Sequence, residues 1–178
     1  MSMRRIIALL VIIAAVTTVV WVFSHHETRD SSERIAVGSI APEFEATSIE
    51  GKKVRLSDFQ GQIVVLNFWA SWCTSCVREM PLLNDIHKST SSQIETLFIN
   101  VGESKGTVSE YLKDHSFSFP VVIDVSGKIS TSFGVRALPA TFIINGEGKI
   151  KEAILGEITD FPLMQLINSY TYSGIQLE

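Results

Sequence analysis

The chain has 178 residues, 46% of them hydrophobic and 19% charged, with a formal net charge of −4. All 19 acidic residues follow position 23, against 13 of the 15 Lys and Arg, so the remainder carries −6. With no basic stripe interleaved with aromatics, nucleic acid is excluded as a partner.

Met1 to Arg5 contains two arginines, and Ile6 to Phe23 is an uncharged run of 18 residues. As a helix that run reaches roughly 27 Å, close to the hydrocarbon thickness of a bilayer. Basic residues before it, and the mixed charges of Ser24 to Arg34 after it, place the N-terminus inside and the remainder outside. Residues 6–23 are therefore read as a single transmembrane anchor, with residues 1–5 cytoplasmic and residues 24–34 a solvated tether. Residues 35–178 then form one exported domain on a single-pass protein of the cell membrane. A cleaved signal peptide is the competing reading. Against it, the apolar core exceeds the usual span of about 7–15 residues, and Ala15, Thr17 and Ser24 make weak cleavage sites. No cysteine stands directly after the run to carry a lipid.

The next elements come as alternating strands and helices. Phe44 to Ile49 and Val54 to Leu56 flank the turn-like Glu50-Gly51-Lys52, which predicts a hairpin. Ser57 to Gly61 reads as a one-turn connection. Ile63-Val64-Val65-Leu66-Asn67-Phe68-Trp69 is short, apolar and β-branched, the pattern of a buried central strand. From Cys73 to about Lys88, Val77, Met80, Leu83 and His87 fall at helical spacing, and Pro81 predicts a kink there. Ile94 to Val101 is a second apolar strand, followed by a helix from Thr107 to His115. Val121 to Asp124 is a third strand, and Ile129 to Phe133 a short helical turn. Asn145-Gly146-Glu147-Gly148 joins Thr141 to Ile144 and Lys149 to Leu155 as a hairpin. Asp160 is placed to cap a last helix, Phe161 to about Tyr170. The series predicts an α/β domain, a central mixed sheet covered by helices on both faces.

The only two cysteines, Cys73 and Cys76, stand where the central strand hands over to a helix. A thiol at the first turn of a helix feels the partial positive charge of unpaired backbone N–H groups, which favours thiolate. Thiolate is the reactive form, so a pair placed there can cycle between dithiol and disulfide. A purely structural bridge is the poorer reading, because so small a loop removes little unfolded-state entropy. Cys73, nearer the helix start, is the expected attacking sulfur and Cys76 the resolving one. Glu79, three residues beyond Cys76, shares a helix face with it. A carboxylate there disfavours thiolate and can serve as a base for Cys76. Its bland alternative is a solvated helix glutamate. His25, His26, His87 and His115 have no zinc-like spacing with the cysteines, so no metal site is expected.

The ordered residues resemble the thioredoxin fold, and more narrowly the membrane-anchored TlpA/ResA group of thiol-disulfide oxidoreductases. The resemblance rests on Gly38 with Ala41-Pro42-Glu43-Phe44, Leu56-Ser57-Asp58-Phe59-Gln60-Gly61 and Val65 through Cys73. It continues through Cys76, Glu79 and Pro81, Asn100-Val101-Gly102-Glu103, and Ala137-Leu138-Pro139-Ala140-Thr141-Phe142. It implies a thioredoxin-like domain with an N-terminal β-hairpin and an extra β–α element over Glu103 to Phe119. It implies a cis peptide before Pro139 beside the cysteines, with the Leu138 backbone pairing an extended substrate segment. Trp72 is read as part of the same docking surface, and Trp69 as core. Glu79 matches the acidic residue that tunes or relays the cysteine protons, and Asn67 stands where thioredoxin itself keeps a buried aspartate. Thr74-Ser75 departs from the group, which commonly has proline before the second cysteine, and this leaves the redox potential open.

The resemblance favours a reductase that needs no cofactor beyond its own Cys73–Cys76 pair. A membrane thiol-electron transporter would recharge it, and its substrates would be disulfides in exported proteins. Apocytochrome c, whose haem-binding cysteines must be reduced, is the leading client, with another exported protein as the alternative. Rival readings are a copper-binding metallochaperone, an idle docking module, and a peroxidase. The last would need proline at Leu66 and threonine at Ala70.

Overall fold

The computed structural model describes residues 3–25, 36–89, 94–117 and 119–158, together with Gln165 and Ser169. The chain divides into two units, Met1–Glu33 and Arg34–Glu178. In the first, helix α1 (Met3–His25) takes up 23 residues, and each of its described side chains is exposed. Thr17 and Thr18 return their hydroxyls to the Ala14 carbonyl at 2.9 and 3.0 Å, so both donors are used inside the helix. The side chains at 5, 6, 9 and 22–25 lie outside the description. Among the described residues no helix is long and apolar enough to cross a membrane. The anchor expected over residues 6–23 therefore rests on the sequence run alone. The tether expected over residues 24–34 lies outside the described residues from residue 26 onward.

The second unit opens with the antiparallel hairpin of β1 (Glu45–Thr47) and β2 (Lys53–Arg55). Gly51 makes its turn at φ +85°, where a side chain would be strained. A single 3₁₀ turn, Leu56–Phe59, follows and supplies the expected connection. Then come β3 (Ile63–Trp69), α2 (Thr74–Ser89), β4 (Ile94–Val101) and α3 (Lys105–Asp114). The rest is β5 (Val121–Asp124), α4 (Lys128–Ser132), β6 (Ala140–Ile144) and β7 (Ile150–Leu155). Five strands make one mixed sheet in the order β5-β4-β3-β6-β7. Strand β3 lies parallel to β4 and antiparallel to β6.

Alternation along β3 divides the core between the two faces of the sheet. Val65 and Trp69 join Met80, Leu83 and Ile86 of α2 and Val108 and Leu112 of α3. Val64, Leu66 and Phe68 join Phe44, Leu56, Ile129 of α4 and Phe133 on the other side. The sheet is thus flanked by helices on both faces, as the strand–helix alternation predicts.

Several boundaries differ from the sequence reading, each for a local reason. Helix α3 starts two residues early, because the Ser104 hydroxyl accepts the Thr107 N–H at 3.2 Å and caps it. Helix α4 starts at Lys128 because the Asp124 carboxylate accepts the N–H groups of Lys128 and Ser130 at 2.8 and 2.9 Å. Helix α2 runs unbroken through Pro81. Its buried stripe is also shifted: Val77 and His87 are half-buried, whereas Cys76, Glu79, Asn84 and Ile86 are buried beside Met80 and Leu83. His87 bonds the Thr96 hydroxyl at 2.6 Å, and His115 stacks on Tyr111 at 4.2 Å. The last helix, expected from Phe161 to about Tyr170, lies outside the described residues except at Gln165 and Ser169, both helical.

Phe68 is fully buried, with its ring 5.4 Å from Phe133 and 5.8 Å from Phe142. Phe68→Ala is expected to lower the unfolding free energy by about 3–5 kcal/mol, read from urea unfolding of the full chain. A loss no larger than that of a surface substitution would contradict this packing.

Candidate active site

Strand β3 ends at Trp69, and a turn closed by the Cys73 N–H on the Ala70 carbonyl at 3.2 Å leads into α2. Cys73 stands immediately before the first helical residue. Its carbonyl accepts the Val77 N–H at 3.0 Å, and its sulfur accepts the Cys76 N–H at 3.3 Å. The sulfur thus occupies the position of a helix-capping oxygen, facing donors that have no partner within the helix. Negative charge on it is favoured by that bond and by the helix dipole. The Ser75 hydroxyl lies 3.5 Å from the same sulfur. Cys73 and Cys76 are joined as a disulfide. Cys73 retains 7% of its surface and Cys76 none, so an incoming sulfur meets Cys73 first.

Glu79 lies on the buried stripe of α2, one turn past Cys76, and is only 2% exposed. Its Oε1 accepts from Asn67 Nδ2 at 2.9 Å, and its Oε2 accepts from the Ile158 backbone N–H at 2.8 Å. Asn67 donates also to Thr141 Oγ1 at 2.8 Å, directly across the β3–β6 pairing. A solvated glutamate is therefore not what stands here. Burial pushes the Glu79 carboxyl above its usual range, and the charge of Glu157 adds to the rise. The N–H groups of Ile158 and Asn67 pull the other way. On the outer side of α2, the Arg78 guanidinium grips the Glu157 carboxylate, with Nε at 2.9 and 3.0 Å from its oxygens. That ion pair fastens the segment after β7 along the helix and so presents the Ile158 N–H to Glu79.

The Leu138–Pro139 peptide is cis. Ala140, which opens β6, pairs with Phe68 near the end of β3, so the proline loop lies at the same end of the sheet as Cys73. Leu138 is half-buried and packs against the cluster that contains both cysteines. The Pro139 carbonyl accepts the Gly156 N–H at 2.9 Å. Trp72 is 70% exposed beside Cys73. The sequence-predicted residues Trp72, Cys73, Cys76, Glu79, Leu138 and Pro139 are therefore gathered at one end of the sheet.

Thr141, Arg78, Glu157 and Ile158 were not singled out from the sequence. Thr141 faces Asn67 through the β3–β6 register, 74 residues away in the chain. Glu157 and Ile158 are each 79 residues from the α2 residue they bond, and no local pattern announces such a contact. Among the described residues, no group of His, Cys, Asp and Glu is arranged to hold a metal ion.

The raised Glu79 carboxyl has a consequence for stability. Between the ordinary carboxylate range and its raised folded value, the folded protein holds the proton and the unfolded chain does not. Stability from this group therefore falls as pH rises through that window. Urea unfolding of the disulfide form across about pH 4 to 8 is expected to show this decline in the wild type and to lose it in Glu79→Gln. The slope carries the test rather than the level, because glutamine also changes the acceptor offered to Ile158. Parallel slopes would contradict the assignment.

Comparison with known proteins agrees with this geometry. The profile of the AhpC/TSA family matches residues 37–153. The thiol-disulfide oxidoreductase ResA of Geobacillus thermodenitrificans (strain NG80-2) is 38% identical over 168 residues, 94% of each chain. ResA of Bacillus subtilis (strain 168) is 39% identical over 137 residues, 76% of each chain. Among solved structures, the exposed lipoprotein thioredoxin of Streptococcus pneumoniae strain TIGR4 superposes with a TM-score of 0.66 at 30% identity, covering 72% of this chain and 99% of that one. StoA of Bacillus subtilis gives a TM-score of 0.61 at 25% identity, over 74% and 98%. A cysteine at a helix start that keeps a little of its surface, a fully buried partner one turn on and a cis-proline loop beside them are carried on a thioredoxin-like sheet, and the chain belongs to the AhpC/TSA family as a thiol-disulfide oxidoreductase of the ResA kind.

Proposed function

We propose that this oxidoreductase works as a reductase of disulfides in exported proteins, with the haem-binding cysteines of apocytochrome c as the leading client. The asymmetry of the pair supports the order of attack: Cys73 keeps a little of its surface, and Cys76 keeps none. In the reduced protein the Cys73 thiolate attacks one sulfur of the client disulfide. A Cys73–client bond forms, the client S–S bond breaks, and the second client sulfur leaves as thiolate. Cys76 then gives its proton to Glu79 and attacks Cys73. The Cys73–Cys76 bond forms, and the first client sulfur departs as thiolate. The client has gained two electrons and the pair has lost two. A membrane thiol-electron transporter returns them, so no other cofactor is required.

Trp72 and Leu138 are the surface on which the client rests, with Pro139 shaping the loop. The uncharged run Ile6 to Phe23 is the anchor that holds the domain outside the membrane. The inward bonds of Thr17 and Thr18 suit that setting, since a hydroxyl in hydrocarbon has no water to bond. The pneumococcal protein with a similar structure is an exposed lipoprotein thioredoxin, which supports an outer location for the domain.

Cys76→Ser is expected to accumulate the mixed disulfide with client, and Cys73→Ser to form none; non-reducing gels with mass spectrometry of the trapped partner read both. The reverse pattern would exchange the two roles. For the client, deletion of the gene is expected to abolish most covalent c-type haem staining. Normal staining would exclude apocytochrome c and leave another exported protein as the substrate.

A further inference from the structure

A second buried carboxylate, Glu103, stands outside the chemistry just described. It follows β4 by two residues and is 9% exposed. Its Oε2 accepts the Ser71 backbone N–H at 2.7 Å and Asn100 Nδ2 at 2.7 Å, while its Oε1 accepts the Ser71 hydroxyl at 2.5 Å. The register explains how it reaches. Trp69 and Asn100 pair at the matched ends of the parallel strands β3 and β4, so the loops leaving them run side by side. Gly102 turns the chain at φ +79° and donates to the Asp124 carbonyl at 3.0 Å, which brings Glu103 round toward Ser71. Asn100 is fully buried beneath it. Tyr111 lies close enough that the Glu103 charge helps to push its hydroxyl up, after burial itself.

Ser71 is the residue before Trp72 and two before Cys73. With 70% of its surface in solvent, the Trp72 ring has little packing of its own to hold it. Its orientation depends on the backbone, and the backbone at Ser71 is fastened by a carboxylate. Charge-assisted bonds of this kind are stronger and shorter than neutral ones. Glu103 also opens the Glu103–Phe119 stretch for which the family resemblance implies an added β–α element; its described residues hold helix α3 and no strand, and the stretch begins with a tie to the active-site loop.

We propose that Glu103 is a positioning residue that holds the Ser71–Trp72 backbone in the conformation a protein client docks on, and that it takes no part in thiol chemistry. The inference rests on the docking role given above to Trp72. It separates large clients from small ones. A protein disulfide needs the Trp72 surface, whereas a small disulfide needs only the Cys73 sulfur.

The test uses the reduced full chain with two oxidants, oxidised apocytochrome c and glutathione disulfide. Glu103→Gln is expected to raise KM for apocytochrome c about tenfold, the scale of one lost hydrogen bond to a charged group. Its kcat, its rate with glutathione disulfide and the midpoint potential of the pair are expected to stay at wild-type values. Ser71→Ala, which loses the hydroxyl bond and keeps the main-chain bond, is expected to show the same split at smaller amplitude. It also serves if Glu103→Gln does not fold. Equal losses with both oxidants, a displaced potential, or no change in either variant would overturn the proposal. A wild type that reduces glutathione disulfide but not apocytochrome c would instead remove the client reading, and the positioning role with it.

Discussion

The pleat of β3 sends Val64, Leu66 and Phe68 to one side of the sheet and Val65, Asn67 and Trp69 to the other. Side-chain direction in a strand has a period of two, so a slip of one residue would exchange these sets. Asn67 would then leave Glu79 and Thr141 and enter the cluster of Phe133 and Phe142. Burying an amide there without partners costs on the order of 1–3 kcal/mol. The apolar rows on both faces therefore lock the register, and the register delivers the polar contacts behind the cysteines. Core packing and site geometry are one constraint seen from two sides.

Glu79 shows how that constraint becomes chemistry. Removing an ionised carboxylate from water costs several kcal/mol, and each hydrogen bond to the charged form returns about 1.5–3 kcal/mol. Two N–H donors offset much of the burial without cancelling it, and the carboxyl retains a raised proton affinity. A group poised in this way can take a proton from a neighbouring thiol and return it. The swap of residue types is physically coherent. Where thioredoxin keeps an acid on the strand, this chain has an amide there, and the acid stands on the facing helix, hydrogen-bonded to it.

Much of this was legible in advance because the signals were local. Ile63 to Trp69, Ile94 to Val101 and Val121 to Asp124 are short, mostly apolar and β-branched runs, and each became a strand with those bounds. Helix α2 was less transparent. Its buried face includes Glu79 and Asn84, which hydropathy assigns to solvent, so counting apolar residues rotated the stripe toward Val77 and His87. The cis peptide at Pro139 came from the family resemblance and not from spacing, since most X–Pro bonds are trans. The ties from Ile158 to Glu79 and from Glu157 to Arg78 exist only once β7 has been laid beside β6. Contacts between residues so far apart in the chain leave no periodic trace in it.

The hairpin at the front of the domain has one more effect. Beyond its two strands, Ile49 donates to the Val121 carbonyl at 2.8 Å and Ser48 bridges to Val122. These contacts occupy the outer side of β5, which ends the main sheet. An open margin there would offer a row of donors and acceptors to any extended polypeptide. For a protein proposed to handle newly exported chains, that hazard is constant. With this border already taken by its own chain, an unfolded client has less scope to add itself as an extra strand and stay, and the encounter can end when the sulfurs part.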